Sequence, residues 1–154
     1  GWDRGPRAVA QIDDREPVAV VGGMEGDHHD LGAQAVRTLL ERKGWRVYFL
    51  GPNVPAQDFA EIQRAQGADL VCVSRSPNRT LHDLQRRVSI LSAMYSAAHP
   101  YRLSFGGSLL GISRDDLPSG PFTGLDFFSS SEAFGTWLDS LEAELDELTE
   151  GRAA

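Results

Sequence analysis

The sequence predicts an α/β fold in which helices cover both faces of a five-stranded parallel sheet. From Pro17 onward, short apolar runs alternate with longer amphipathic segments. The short runs are almost continuously apolar and rich in β-branched residues, as in VAVV and LVCV, which is typical of strands buried on both faces. Strict alternation of such strands with helices indicates a parallel sheet, because consecutive parallel strands need a crossover connection.

Five strands are predicted from short apolar runs that end in glycine or serine. In chain order they are PVAVVG (17–22), WRVYFLG (45–51), DLVCVS (69–74), YRLSFGG (101–107) and LDFFSS (125–130). The length and composition of each run match a strand better than a helix.

Four amphipathic helices are predicted, one after each of the first three strands and one after the fifth. Their apolar residues recur at helical spacing. These residues are Leu31, Ala35, Val36, Leu39 and Leu40, then Phe59 and Ile62, then Leu81, Leu84, Val88, Leu91 and Tyr95, and finally Phe134, Trp137, Leu138, Leu141, Leu145 and Leu148. Pro55 opens the second helix. Thr80 caps the third, with Asp83 placed as in a capping box, and Ser130 or Ser131 caps the fourth.

Glycine and proline mark where these helices end. Gly44 and Gly67 end the first two helices. The third helix is expected to end near His99 and Pro100, because proline cannot continue a helix. The glycine- and proline-rich residues 106–124 predict a loop between the fourth and fifth strands.

This pattern favours the flavodoxin-like (Rossmann-type) strand order 2-1-3-4-5 with helices on both faces. In that order, ligands bind beyond the carboxyl ends of strands one and three, where the winding reverses. Polar residues and glycines follow strands one, three and four at this edge, namely Asp27 to His29, Ser74 to Ser76, and Gly106 with Gly107. We therefore expect a ligand site there.

Composition limits the functions open to the chain. Its 154 residues, 41% of them apolar, are enough for one soluble globular domain at residues 17–149, with a linker at 1–16 after a missing neighbour and a tail at 150–154. The net charge of −7 disfavours direct contact with nucleic acid, and no apolar run is long enough to span a membrane. The one cysteine, Cys72, excludes a disulfide scaffold, so a cytoplasmic setting is expected.

Two adjacent histidines between aspartates, in GGMEGDHHDLG at 22–32, stand where the first strand turns into a helix. Asp27 and His29 are two residues apart, so in an extended loop the carboxylate can reach the imidazole. Such a carboxylate orients a metal-bound histidine, although turn or capping chemistry also explains these residues. His82 and His99 belong near the third helix, and one imidazole cannot make a closed zinc site. A metal here would take most of its ligands from a non-protein group.

Other nucleotide sites fit the sequence poorly. The loop after strand one is neither a P-loop nor a GxGxxG fingerprint. It also lacks the serine- and threonine-rich phosphate cradle of flavodoxins. A phosphoacceptor receiver would need an acid after strand three, where Ser74 stands.

The chain resembles the cobalamin-binding domains of methionine synthase, methylmalonyl-CoA mutase and B12-dependent photoreceptor regulators. That family shares the pattern D-x-H-x-x-G, S-x-L and G-G. Asp27, His29 and Gly32 match the first part, Ser74 follows after 41 intervening residues, and Gly106-Gly107 matches the last part. The S-x-L leucine is replaced by Ser76, which puts the packing around the cofactor's tail in question.

The resemblance implies cobalamin as cofactor, with His29 as the lower axial ligand of cobalt in place of the cofactor's own dimethylbenzimidazole. Asp27 would orient His29, and His28 would lie near the ring edge or in solvent. The remaining implied contacts surround the nucleotide tail: Leu31, Gly32, Ser74, Ser76, Gly106, Gly107, Ser129 and Ser130. The resemblance leaves open whether the bound form is adenosyl-, methyl- or hydroxocobalamin.

The run KGWRVYFLGPNVP at 43–55 resembles the regulator branch of the family more than the mutase branch. We therefore expect the sensory domain of a MerR-type B12- or light-responsive transcriptional regulator, with upstream helical and DNA-binding domains as partners and a homo-oligomer as one possible state. The alternatives are a corrinoid carrier for methyl transfer or the small domain of a B12-dependent mutase, and then the same fold with another tetrapyrrole or none. The sequence offers no nucleophile and base pair, so no enzyme activity is expected of this domain alone.

Overall fold

The computed structural model describes residues 16–26, 31–75, 80–107, 114–117 and 120–153, with the backbone alone for Leu31, Arg114 and residues 145–153. In these ranges the elements are β1 (Val18–Met24), α1 (Leu31–Arg42), β2 (Arg46–Val54), α2 (Ala56–Gln66), β3 (Leu70–Ser74), α3 (Leu81–Met94), β4 (Arg102–Gly106), a 3₁₀ turn (Arg114–Asp116), β5 (Gly124–Phe128) and α4 (Ser131–Ala153). The five strands form a parallel sheet in the order β2-β1-β3-β4-β5. The predicted fold class is confirmed.

Alternate residues of β1 enter two separate apolar clusters. Val18 and Val20 face the cluster that includes α2 and α3, whereas Ala19 and Val21 face the cluster that includes α1 and α4. Because successive strand residues point to opposite faces, a strand covered on both sides must be apolar throughout. This explains the continuous apolar runs in the sequence.

The edge strand β2 is irregular and extends past its predicted end at Gly51. Its pairing with β1 shifts register between Val21 and Gly22 and again between Gly22 and Met24. In the same segment Gly51 and Asn53 have left-handed backbone conformations, with φ of 79° and 59°. After this irregularity the strand continues to Val54, which pairs with Met24 at the end of β1.

Side-chain caps begin α3 and α4 as predicted. The Thr80 hydroxyl accepts a hydrogen bond from the Asp83 amide at 3.1 Å. Of the two serines proposed for α4, Ser130 is the cap, since its Oγ accepts from the Ala133 amide at 3.1 Å. The helix then runs to Ala153, through the residues predicted to form a tail.

The predicted end of α3 near His99 was wrong, because the helix ends at Met94. Tyr95 already has an extended backbone. Its ring packs against Tyr101 at 5.3 Å and Phe122 at 5.6 Å between ring centroids. The helix therefore lacks its predicted last turn, and Tyr95 instead packs against the residue that precedes β4 and against Phe122.

No helix in the described part of the chain is long and apolar enough to cross a membrane.

Candidate functional site

The carboxyl edge of the sheet brings together residues from four strands. The register pairs Gly23 of β1 with Ser74 of β3, Ser74 with Gly106 of β4, and Gly106 with Phe128 of β5. These residues form one row across the sheet, with α1 beginning a few residues beyond β1 and α4 a few beyond β5. Strand register therefore brings the residues of the expected site together at this edge of the sheet.

A cavity of about 300 Å³ opens at this edge, on the face covered by α1 and α4. Its lining is mostly apolar, with a few hydroxyl groups and backbone surfaces, as in sites for organic cofactors. Six of the predicted tail-binding residues lie on it: Gly32, Ser74, Gly106, Gly107, Ser129 and Ser130. The structure thus gathers residues that are up to 98 positions apart in the chain.

Three glycines shape the cavity, each in a different way. A Cβ atom on Gly32 would lie 3.3 Å from the Ser74 hydroxyl, so α1 approaches β3 as closely as a glycine allows. A Cβ on Gly106 would meet no heavy atom within 4 Å, so this position borders open space. Gly107 has a φ of +118° and passes so near the Arg75 carbonyl oxygen that a Cβ there would overlap it.

The hydroxyl groups on the cavity wall are available to a polar ligand to different degrees. Ser74 is half-buried, whereas Ser129 and Ser130 are exposed at the rim. The Ser130 oxygen accepts from the Ala133 amide, which leaves its proton and one further acceptor site for a ligand.

Two polar residues on the cavity wall were missed by the sequence interpretation. Ser104 is only 2% exposed, and its hydroxyl hydrogen-bonds the Cys72 thiol and donates to the Val71 carbonyl at 3.5 Å. Strand alternation places Ser104 on the same face as Gly106, two residues later, and that pattern could have identified it. Ser131 also lines the cavity.

Cys72 lines the same cavity as a neutral thiol. Burial raises the pKa of its thiol to about 12, although the hydrogen bond with Ser104 opposes the shift. Only the thiolate is a good metal ligand, so the protonated thiol acts as part of the apolar wall.

Arg75 follows β3 next to the cavity and is 4% exposed. Burial lowers the pKa of its guanidinium, while the nearby Asp83 carboxylate raises it. Its amide donates to the Gly106 carbonyl at 3.0 Å, which extends the contact between β3 and β4 past the end of the sheet. The backbone of Arg75 therefore supports the rim.

The predicted metal ligand and its neighbours lie outside the described residues. This applies to Asp27, His28, His29 and Ser76, and to the side chain of Leu31. Residues 27–30 connect Gly26, just after β1, to Leu31 at the start of α1, one residue before Gly32 on the cavity wall. Among the described residues, no group of three histidine, cysteine or acidic side chains could hold a metal ion.

The cavity fits the nucleotide tail of a corrinoid. Its apolar walls suit a flat aromatic base, its hydroxyls suit ribose and phosphate oxygens, and the Gly32 and Gly106 positions leave space that a side chain would fill.

The match to a known family agrees with this fit. Residues 17–127 match the family of B12 binding domains, and the chain therefore belongs to that family. Cobalamin is its cofactor, as the sequence predicted.

Curated relatives fall into two groups. The chain is 35% identical over 74 residues to dimethylamine corrinoid protein 3 of Methanosarcina acetivorans, a match that covers 48% of this chain and 35% of the relative. It is 31% identical over 116 residues to the HTH-type transcriptional repressor CarA of Myxococcus xanthus, covering 75% of this chain and 38% of the repressor. The chain thus spans little more than a third of either relative.

Solved structures share the fold. A cobalamin-binding protein from Desulfitobacterium hafniense superposes with a TM-score of 0.64 at 20% identity, covering 82% of this chain and 60% of that one. The methanol:cobalamin methyltransferase complex of Methanosarcina barkeri gives a TM-score of 0.64 at 20% identity, covering 92% of this chain and 54% of its chain. These similarities establish the architecture.

Proposed function

We propose that this chain is a corrinoid carrier module for methyl transfer, which holds cobalamin by its nucleotide tail and by one histidine. The observation that carries the proposal is the cavity between the sheet, α1 and α4, on whose wall six of the predicted tail-binding residues meet, four of them from the B12-type pattern. Bound cobalamin would supply a cobalt centre whose upper face exchanges a methyl group with partner proteins.

The cavity residues would hold the tail by shape and by hydrogen bonds. Val21, Val36 and Phe134 give an apolar lining for the aromatic base, and burial of such surface favours binding by about 25 cal/mol per Å². The hydroxyls of Ser74 and Ser104 lie deeper than those at the rim, and they could bond polar atoms that the base and ribose bring in.

His29 would be the lower axial ligand of cobalt, and Asp27 would orient it. Support comes from the D-x-H-x-x-G spacing and from chain connectivity, since Gly32 of the same motif lines the cavity. A carboxylate that accepts the second ring proton of a ligating histidine fixes its tautomer and raises its basicity. With the tail in the cavity, the cofactor's own base cannot occupy the same coordination position.

The carrier role is favoured by the relatives that are corrinoid proteins. Seven of the matched curated relatives are dimethylamine corrinoid proteins from Methanosarcina. Carriers deliver their cofactor to a methyltransferase, and a methyltransferase encoded beside the native gene would support this role.

A sensory domain of a transcriptional regulator is the second candidate. The match to the CarA repressor covers 75% of this chain, against 48% for the first corrinoid protein. A DNA-binding domain in the native chain would favour this role. So would a change in the oligomeric state of the adenosylcobalamin-loaded protein on illumination.

Reconstitution of His29 variants with cobalamin tests cofactor binding and histidine ligation, which both candidate functions require. The protein is incubated with hydroxocobalamin, desalted and examined by absorption spectroscopy. Wild type and the control His82→Ala, at an exposed position on α3, should retain cobalamin with the spectrum of a histidine-ligated cobalt. His29→Ala should fold normally but lose that spectrum. Identical spectra for His29→Ala and His82→Ala would refute the ligand assignment, and no retained corrinoid in wild type would refute the function.

A further inference from the structure

We infer that Asn53 and Arg87 are positioning residues that clamp the base of the loop carrying Asp27 and His29. Asn53 is on β2 and contacts Gly26, whereas Arg87 is on α3 and contacts Glu25, so together they hold the two residues that follow β1. The inference rests on the proposed function for its consequence, although the contacts belong to the cofactor-free protein.

The Asn53 side chain holds the first point of the clamp. The amide of Gly26 donates a hydrogen bond to Asn53 Oδ1 at 2.7 Å, a short distance for an amide donor. Gly26 has a φ of 89°, a conformation that suits glycine, so the chain turns at this residue. The turn directs the chain into Asp27.

The backbone of Asn53 is unusual in a way that serves this contact. Its φ of 59° is the only positive value among the described non-glycine residues. Asparagine tolerates the left-handed region better than most residues, yet the conformation still has a cost. The irregular end of β2 thus turns the Asn53 side chain back towards β1.

Arg87, on α3, holds the second point of the clamp. Its side chain is 6% exposed, and one terminal guanidinium nitrogen donates to the Glu25 carbonyl oxygen at 3.3 Å. The other terminal nitrogen lies 3.5 Å from Glu25 Oε1, and Nε donates to Asp83 Oδ2 at 3.2 Å. Asp83 is on α3 four residues before Arg87, so it fixes the direction of the arginine side chain.

A buried arginine on this face needs a reason, because α3 otherwise presents Leu84, Val88 and Leu91 to the core. Removing a guanidinium from water is costly unless charges and acceptors surround it. Asp83 supplies the charge, and the acceptor is the loop backbone at Glu25.

The two contacts fix consecutive residues, Glu25 and Gly26, immediately before the proposed ligand loop. Order present before binding does not have to be created during binding, and this raises affinity. The clamp would therefore increase the fraction of bound cobalamin whose cobalt is ligated by His29.

Comparing asparagine, glycine and aspartate at position 53 separates the effect of the hydrogen bond from the effect of backbone strain. Asn53→Gly removes the acceptor and accepts the left-handed backbone without cost. Asn53→Asp keeps an acceptor oxygen and is the conservative control. Hydrogen exchange of the Gly26 amide in the cofactor-free protein reads the contact directly.

Exchange at Gly26 should be about fivefold faster in Asn53→Gly than in wild type, the effect of losing one hydrogen bond. Asn53→Asp should exchange at the wild-type rate. Equal exchange in Asn53→Gly and wild type would overturn the clamp, whatever the protein does with cobalamin.

Hydroxocobalamin titration tests the consequence for the cofactor. Asn53→Gly should bind about fivefold more weakly and show a smaller histidine-ligated fraction in its absorption spectrum. Asn53→Asp should restore both. Unchanged affinity and spectrum in Asn53→Gly would exclude a positioning role. If wild type binds no corrinoid, the proposed function fails, and the clamp is then decided by the exchange result.

The arginine has a matched control next to it in the chain. Arg86 also contacts Asp83, at 3.4 Å, but is half-exposed. Arg87→Met should lower the histidine-ligated fraction and speed exchange at Gly26, whereas Arg86→Met should change neither. Equal behaviour of the two variants would remove Arg87 from the clamp.

Discussion

The backbone of Gly107 lies so close to the carbonyl oxygen of Arg75 that any Cβ atom on Gly107 would overlap that oxygen. This contact joins the segments that follow β3 and β4 at the mouth of the cavity. The amide of Gly107 also donates to the Phe128 carbonyl at 3.1 Å, which ties the same residue to β5. The rim of the cavity therefore depends on a residue without a side chain.

Gly107→Ala is expected to destabilise the cofactor-free protein by about 2–3 kcal/mol, because alanine is strained at φ +118° and its Cβ needs the Arg75 backbone to move. Urea unfolding measures this effect. Gly135→Ala is the control. Gly135 lies within α4, and a Cβ there would make an ordinary contact of 3.8 Å with Leu39 of α1. That variant should be neutral or stabilised by up to about 1 kcal/mol. Equal losses in both variants would show that the rim contact has no special role.

Gly106→Leu is expected to fill part of the cavity between the sheet, α1 and α4 without disturbing the fold, because a Cβ at this position meets no atom within 4 Å. A tail forced into the smaller space would be overpacked by about 1–3 kcal/mol, which lowers cobalamin affinity about 5- to 150-fold. Cobinamide, which lacks the nucleotide tail, is the matched ligand. Its affinity should be the same for Gly106→Leu and wild type. A parallel loss for both ligands would contradict tail binding in this cavity.

Asp27→Asn is expected to weaken hydroxocobalamin binding about tenfold or more, because the amide is a poorer acceptor for the second ring proton of His29. Titration followed by absorption spectroscopy measures the affinity. Asp30→Asn is the control, since Asp30 is on the other side of the histidine pair, directly before α1, where asparagine and aspartate are equally good helix caps. Indistinguishable curves for Asp27→Asn and wild type would exclude an orienting role.

The Cys72 thiol should make the stability of the protein depend on alkaline pH. Burial raises its pKa from 9.0 to about 12, so the unfolded chain loses this proton at a lower pH than the folded one. The stabilising contribution is complete below pH 9 and is lost as the pH rises from 9 towards 12, by at most about 1.4 kcal/mol per pH unit. Urea unfolding at pH 8 and pH 10 should show a larger loss in wild type than in Cys72→Ala. Equal losses would mean that the thiol ionises as readily in the folded protein as in the unfolded chain.

Local sequence pattern was sufficient to predict the order of elements and the sheet. Alternating apolar runs and helical stripes record which side chains are buried, and burial is the dominant contribution to folding. The caps at Thr80 and Ser130 were predictable for a similar reason, since a capping side chain bonds an amide only three residues away.

Features that depend on packing between distant segments were not predicted. The early end of α3 reflects ring contacts of Tyr95 with Tyr101 and Phe122. Helical spacing placed Ile62 inward, and it packs against the core, but it did not predict that Gln63 beside it is buried, with its side-chain amide donating to the carbonyls of Ala68 and His99 at 2.9 and 3.0 Å. Such contacts join segments up to 36 positions apart, which no local pattern contains.

The sequence by itself determined the fold class, the edge of the sheet where the candidate site lies, and the resemblance to B12-binding domains, because spacing along the chain encodes strands, helices and their ends. Tertiary structure alone decided that Cys72 shares a wall with Gly32, and that Asn53 bonds Gly26 and Arg87 bonds Glu25 at the end of β1. Strand register and helix packing set those distances, and both arise from the summed contacts of the whole core rather than from any one segment.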